Sequence, residues 1–215
     1  MARVLMIPGA AVRSYVRPAA DALRDRGVEV HLLAAPGEPG AQTDLRDYGQ
    51  ELAHQMNRAE PVDLLIGLSV GAQAAAVAAT TAGPSLVRHL MLISPTVDPQ
   101  ARTALRLIGR WLTGGRLERP RLILEQIPDW HRAGLRRVSQ VVRSALRVRI
   151  EDFLPGLGAR LTVVHAENDA ITSHSYAAEL AVDHGGELLV VPNATHSWPY
   201  ADVDRFVDMV QGMLP

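Results

Sequence analysis

Three side chains far apart in the 215-residue chain have the chemistry for nucleophilic attack: Ser69, Asp169 and His196. A serine hydroxyl is a poor nucleophile near neutral pH. It needs an adjacent imidazole to take its proton, and the imidazole needs a carboxylate to fix its tautomer. Ser69 stands in Gly67-Leu68-Ser69-Val70-Gly71, between the apolar run Val62 to Ile66 and an alanine-rich stretch that starts at Ala72. The spacing predicts a buried strand, a sharp turn and a helix. Glycines two residues either side of the serine remove Cβ atoms where a strained elbow has no room for them. G-x-S-x-G is common as a bare pattern; between a strand and a helix it marks a serine raised above the end of a sheet.

The partners follow at the ends of two other strand-like runs. Leu161 to His165 leads into Ala166-Glu167-Asn168-Asp169-Ala170, and Glu187 to Val191 leads into Pro192-Asn193-Ala194-Thr195-His196. A second acid, Asp98, follows the run His89 to Ile93 and competes with Asp169 for the histidine. Asp169 also has the simpler reading of a turn aspartate that caps the next helix. An oxyanion needs two N–H donors. Val70, directly after the serine, supplies one; Ala10, in the loop Pro8-Gly9-Ala10-Ala11 after the first strand-like run, supplies the other, and Gly9 lets the backbone approach a ligand. Trp130 and His131 are candidates for lining the pocket, with packing onto the core as the other reading of Trp130 and of Trp198. His165, within a strand, reads as a core histidine with a hydrogen-bond partner, and the remaining histidines as surface or packing residues.

These residues require an alternating scaffold. Strand-like runs at Val4 to Ile7, Val28 to Leu33, Val62 to Ile66, His89 to Ile93, Leu161 to His165 and Glu187 to Val191 are mostly continuous apolar stretches, as in a parallel sheet covered on both faces. Helical stripes lie between them: Val16, Ala19, Ala20 and Leu23; Leu45, Tyr48, Leu52 and Met56; and a last one from Val203 to Met213. The expected fold class is α/β, a doubly wound, mainly parallel sheet of about six strands in one domain over 1–215. Residues 99–158 lack strand patterns and read as a helical lid insertion. Within it, Gly114-Gly115 separates a helix bearing Leu105, Ile108 and Leu112 from one opened by Pro120 and closed by Pro128. Leu135 to Ile150 carry a further apolar stripe.

The ordered set Ser69, Asp169, His196 resembles a small α/β-hydrolase of the esterase, thioesterase and epoxide-hydrolase superfamily over nearly the whole chain. Gly67 to Gly71 is similar to that family's nucleophile elbow, Ala166 to Thr172 to its acid loop and Asn193 to Ser197 to its histidine loop. The lid is similar only in position and helical character, and the family's first two antiparallel strands have no counterpart. Pro8-Gly9 stands where many members carry His-Gly, and a serine at the elbow departs from the members that attack with an aspartate. The resemblance implies hydrolysis of a carboxylic ester or thioester through an acyl-enzyme on Ser69. It also admits acyl transfer, lactonisation, C–C cleavage or cyclisation on the same residues, or a pocket that binds without turnover.

Composition narrows the partners. Basic and acidic residues number 22 and 23, which argues against nucleic acid and anionic membranes. All the basic residues are arginine, and twelve fall within 99–158, where solvated helix faces account for most of them. Cysteine is absent, which excludes disulfides and a thiolate nucleophile. No histidine or acid cluster has metal-ligand spacing and no G-x-G-x-x-G follows the first strand, so neither metal nor cofactor is expected. No run suits a signal peptide or a membrane span, so a cytoplasmic protein acting on a small, partly apolar acyl substrate is the expectation.

Overall fold

Six of the apolar runs become the strands of one sheet. The computed structural model describes residues 1–215. Its strands are β1 (Arg3–Ile7), β2 (Glu29–Leu32), β3 (Leu64–Leu68), β4 (His89–Ile93), β5 (Arg160–Ala166) and β6 (Glu187–Val191), in spatial order β2-β1-β3-β4-β5-β6, every neighbouring pair parallel. The helices are α1 (Arg17–Asp25), α2 (Leu45–Met56), α3 (Gly71–Ala82), α4 (Ala104–Leu117), α5 (Pro120–Ala133), α6 (Leu135–Ala145), α7 (His174–Val182), α8 (Trp198–Ala201) and α9 (Val203–Gln211). None is long and apolar enough to cross a membrane.

Alternation along the strands divides the core in two. Val4, Met6, Ile66, Met91 and Val164 face Leu23 of α1 and Phe206 and Val210 of α9. Leu5, Ile7, Leu65, Leu92 and Val163 face α2, α3 and α7. Helix α3 is buried from Gly71 to Ala79, and its alanines allow a close approach on every side. Gly49 of α2 shows how close: a Cβ there would lie 2.6 Å from Val77 Cβ and 2.7 Å from the Ala74 carbonyl oxygen.

The strand order positions the site. From β1 the chain steps outward to β2, then returns to β3 on the other side of β1, so the direction of winding reverses between β1 and β3. Loops leaving the carboxyl ends of two such strands diverge and leave a crevice. One loop here is Pro8 to Ala11; the other is Ser69. Strand β3 sits two residues later than the apolar run suggests, because Val62 makes only an isolated bridge to Val87.

Two expectations within the insertion are corrected. Gly114-Gly115 does not separate helices; both lie in the last turns of α4, and Gly114 is the one buried residue of that helix, where a Cβ would come 3.2 Å from Ile171. Pro128 does not close its helix; α5 runs on to Ala133 because Asp129 and Trp130, just past the proline, are anchored to the body of the protein. Helix α6 is docked by Val141, Ser144 and Ala145, whose carbonyl accepts from Gln73 at 2.8 Å. Helix α4 instead rides on the surface, with Leu105 85% exposed and Ile108, Trp111 and Leu112 about half exposed.

Candidate active site

Ser69 follows β3 directly and takes φ +54°, a left-handed conformation that non-glycine residues rarely adopt. Its amide donates to the Ile93 carbonyl at 2.9 Å, and its carbonyl accepts from Ala72 at 3.0 Å as α3 begins. The two glycines of the elbow have separate steric reasons. A Cβ on Gly67 would meet Ala72 Cα at 2.6 Å, and one on Gly71 would overlap the carbonyl oxygens of Ile7 and Pro8.

The structure brings Ser69, His196 and Asp169 into contact. His196 Nε2 lies 3.0 Å from Ser69 Oγ, and Nδ1 lies 3.0 and 2.9 Å from the two carboxylate oxygens of Asp169. Asp169 Oδ1 also accepts the Ile171 and Thr172 amides at 2.8 and 3.0 Å, closing the turn that precedes α7; the helix itself is capped by Ser173 and not, as the simpler reading has it, by Asp169. Burial alone would push the Asp169 carboxyl up. The adjacent imidazole and the two amides outweigh it and hold Asp169 below the ordinary carboxylate range. Burial likewise pulls His196 down, but Asp169, with Glu118 adding to it, brings the imidazole above its ordinary value.

Asp98 is not brought to the histidine. Its side chain is buried against α4, accepting from Arg110 at 2.7 Å, from the Gln100 amide at 2.7 Å and from the Ser173 amide at 3.3 Å. Its partners account for an acid that sequence position alone leaves in competition.

The loop after β1 leaves one amide unused. Gly9 N–H donates to the Tyr15 hydroxyl at 3.2 Å, Ala11 N–H to the Pro36 carbonyl at 2.8 Å and Val12 N–H to the Gly9 carbonyl at 3.5 Å. Ala10 N–H and Val70 N–H donate to no group of the chain. Gly9 packs on Ser69 itself, with a Cβ at this position 3.6 Å from Ser69 Cβ.

The insertion grips this loop from above. Trp130 Nε1 donates to the Ala10 carbonyl at 3.3 Å, and buried Asp129 accepts the Arg13 and Ser14 amides at 3.0 and 2.9 Å. Trp130 therefore both packs and bonds. His131 is exposed, and Trp198 is buried against Phe206 on the far core face. Trp111 of α4, which the pattern Leu105, Ile108, Leu112 passes over, stands edge-on to Trp130 with ring centroids 5.6 Å apart. It lies one helical turn beyond Ile108, a spacing that could have flagged it. His165 is buried as expected, but its Nδ1 has no hydrogen-bond partner; the ring meets His174 edge-on instead, with centroids 5.2 Å apart. No group of three or more histidines and acids could hold a metal ion.

Known proteins share the family and the fold of this chain. A family profile described as alpha/beta hydrolase matches residues 4–209. Among solved structures, an N-acyl homoserine lactone degrading enzyme superposes with a TM-score of 0.79 at 16% identity, over 99% of this chain and 93% of its own. An esterase from Exiguobacterium antarcticum reaches 0.80 at 16% identity, over 99% and 91%. E-2-(acetamidomethylene)succinate hydrolase reaches 0.76 at 19%, over 99% and 91%. At these identities the likeness is one of fold. No curated protein sequence matches the chain.

Proposed function

Because this chain belongs to the alpha/beta hydrolase family, we propose that it is a serine hydrolase cleaving a small carboxylic ester, lactone or thioester through an acyl-enzyme on Ser69. The observation that carries this reading is His196 bridging Ser69 and Asp169 at 3.0 and 2.9 Å, beside two amides with no partner in the chain.

In this mechanism Ser69 Oγ attacks the carbonyl carbon as His196 Nε2 takes the hydroxyl proton. Asp169 holds Nδ1–H and stabilises the imidazolium. The tetrahedral oxyanion accepts from the Val70 and Ala10 amides. The C–O or C–S bond then breaks and His196 gives its proton to the alcohol or thiol, which departs from an ester or thioester and stays on the acyl chain as a hydroxyl when the substrate is a lactone. Water, deprotonated by the same imidazole, attacks the acyl-enzyme, releases the acid and restores Ser69. No cofactor takes part. The insertion, residues 99–158, acts as the lid of a single domain. The half-exposed Trp111, edge-on to Trp130, suits a partly apolar acyl group.

Two measurements test the reading. Turnover of short-chain esters and lactones in ¹⁸O-water is expected to place label in the acid product; unlabelled product would assign the same residues to acyl transfer or cyclisation. The rate should also track the imidazole. A base must be neutral to accept the Ser69 proton, so kcat/KM is expected to fall as pH drops through the His196 pKa. That pKa is raised, so the acidic limb is expected above the ordinary histidine value of 6.5. A rate with no acidic limb would count against His196 as the base.

A further inference from the structure

The link between α4 and α5 carries a carboxylate that the mechanism above does not use. Pro120 opens α5 and confines the residue before it to extended conformations. Glu118 (φ −77°, ψ 158°) and Arg119 (φ −65°, ψ 130°) therefore form a short extended bridge after α4 ends. The bridge brings the half-buried Glu118 side chain onto the histidine loop. Ser197 N–H donates to Glu118 Oε1 at 2.9 Å, and the Thr195 hydroxyl donates to Oε2 at 3.1 Å. These two residues flank His196 on either side.

The partner choice is informative. Glu118 lies between Arg116 and Arg119, in a segment holding twelve arginines, yet it forms no ion pair with any of them. Arg102, Arg110, Arg121 and Arg132 pair with Glu151, Asp98, Glu125 and Asp129. Glu118 spends both carboxylate oxygens on the loop that presents the imidazole.

We propose that Glu118 is a positioning residue: it clamps the histidine loop on both sides of His196, so that alignment of the imidazole with Ser69 depends on the seating of the α4–α5 joint. The proposal rests on the reading of Ser69 and His196 as nucleophile and base. It gives the insertion a task besides enclosing substrate, since movement of α4 would release the histidine loop. The charged and titratable groups around His196 are Asp169 from the acid loop, Glu118 from the insertion and His165 from β5, with His174 behind it and Tyr15 near Glu118. Glu118 thus adds a second negative charge that favours the imidazolium formed during attack.

The test compares wild type, Glu118→Gln and Glu118→Ala, with kcat and KM for p-nitrophenyl butyrate across roughly pH 5 to 9. A ¹³C-histidine NMR titration reads the His196 midpoint directly. Glu118→Ala loses both loop contacts and is expected to lower kcat by about tenfold or more with KM changed less than about twofold. Glu118→Gln keeps an acceptor for Ser197 N–H and is expected to restore most of that kcat. Its acidic limb and NMR midpoint are both expected to move down, because the Glu118 charge that favours the imidazolium is gone, a shift that a merely structural contact would not produce. The proposal is overturned if folded Glu118→Ala turns over at the wild-type rate. Should Glu118→Ala not fold, the shorter Glu118→Asp, which cannot reach both loop contacts, takes its place, and wild-type kcat in that variant overturns the proposal. The titration needs no substrate. A wild type that cleaves no ester would therefore defeat the hydrolase reading while the Glu118 effect on His196 stayed measurable.

Discussion

Replacing Ser69 with alanine is expected to lower kcat on an accepted ester by on the order of 10⁴-fold or more. The thermal midpoint is expected to stay within a few degrees of wild type. The two expectations separate because the hydroxyl has a single partner: Ser69 Oγ bonds only His196 Nε2. The elbow is built from backbone and from glycines. The Ser69 amide still meets the Ile93 carbonyl, its carbonyl still meets the Ala72 amide, and alanine at φ +54° carries the same Cβ that serine does. Loss of one partly exposed hydrogen bond costs about 1 kcal/mol, which a domain of this size tolerates. The chemistry has no such reserve, because without Oγ no acyl-enzyme forms. The measurement is steady-state turnover beside circular dichroism melting and labelling by a fluorophosphonate. Wild type is expected to take up one probe at Ser69 and the alanine variant none. An alanine variant with wild-type turnover would remove the mechanism altogether.

The second large effect distinguishes two aspartates. Asp169→Asn is expected to lower kcat by roughly 10⁴-fold, because an amide facing Nδ1 favours the wrong imidazole tautomer and withdraws the charge that stabilises the imidazolium. Asp98→Asn is expected to keep kcat within about tenfold and to show its effect in the melting temperature instead. The part-exposed Arg110 guanidinium would lose its carboxylate, and a neutral amide at this buried position would hold the Gln100 and Ser173 amides less well. Asp169→Asn should also lower the His196 titration midpoint, since Asp169 is the strongest influence raising it. Equal losses of kcat in the two variants would remove the distinction between Asp169 as the partner of His196 and Asp98 as a structural acid.

Much of this site was legible along the chain. Gly67, Ser69 and Gly71 stand between a continuous apolar run and an alanine run, and the physical demands of that turn are local: no Cβ at either glycine and a left-handed serine between them. Asp169 and His196 were legible by the same means, each a short step past an apolar strand. The limits of local reading show at Pro128 and at Gly114-Gly115. Proline and glycine usually end helices, but the anchoring of Asp129 and Trp130 carries α5 past its proline, and contact with Ile171 fixes Gly114 inside α4.

What the sequence determined by itself, then, is the α/β layering, the elbow and the strand ends at which Ser69, Asp169 and His196 stand, because strand periodicity and turn sterics are written into neighbouring residues. Only the tertiary structure decided which acid meets the histidine, which amide of the first loop is left without a partner, and that Glu118 grips the histidine loop. Those outcomes join residues far apart in the chain, 77 positions between Glu118 and Thr195 and 120 between Ala10 and Trp130. A hydrogen bond forms or fails over a few tenths of an ångström, and across such separations that distance is set by how the sheet and the insertion pack.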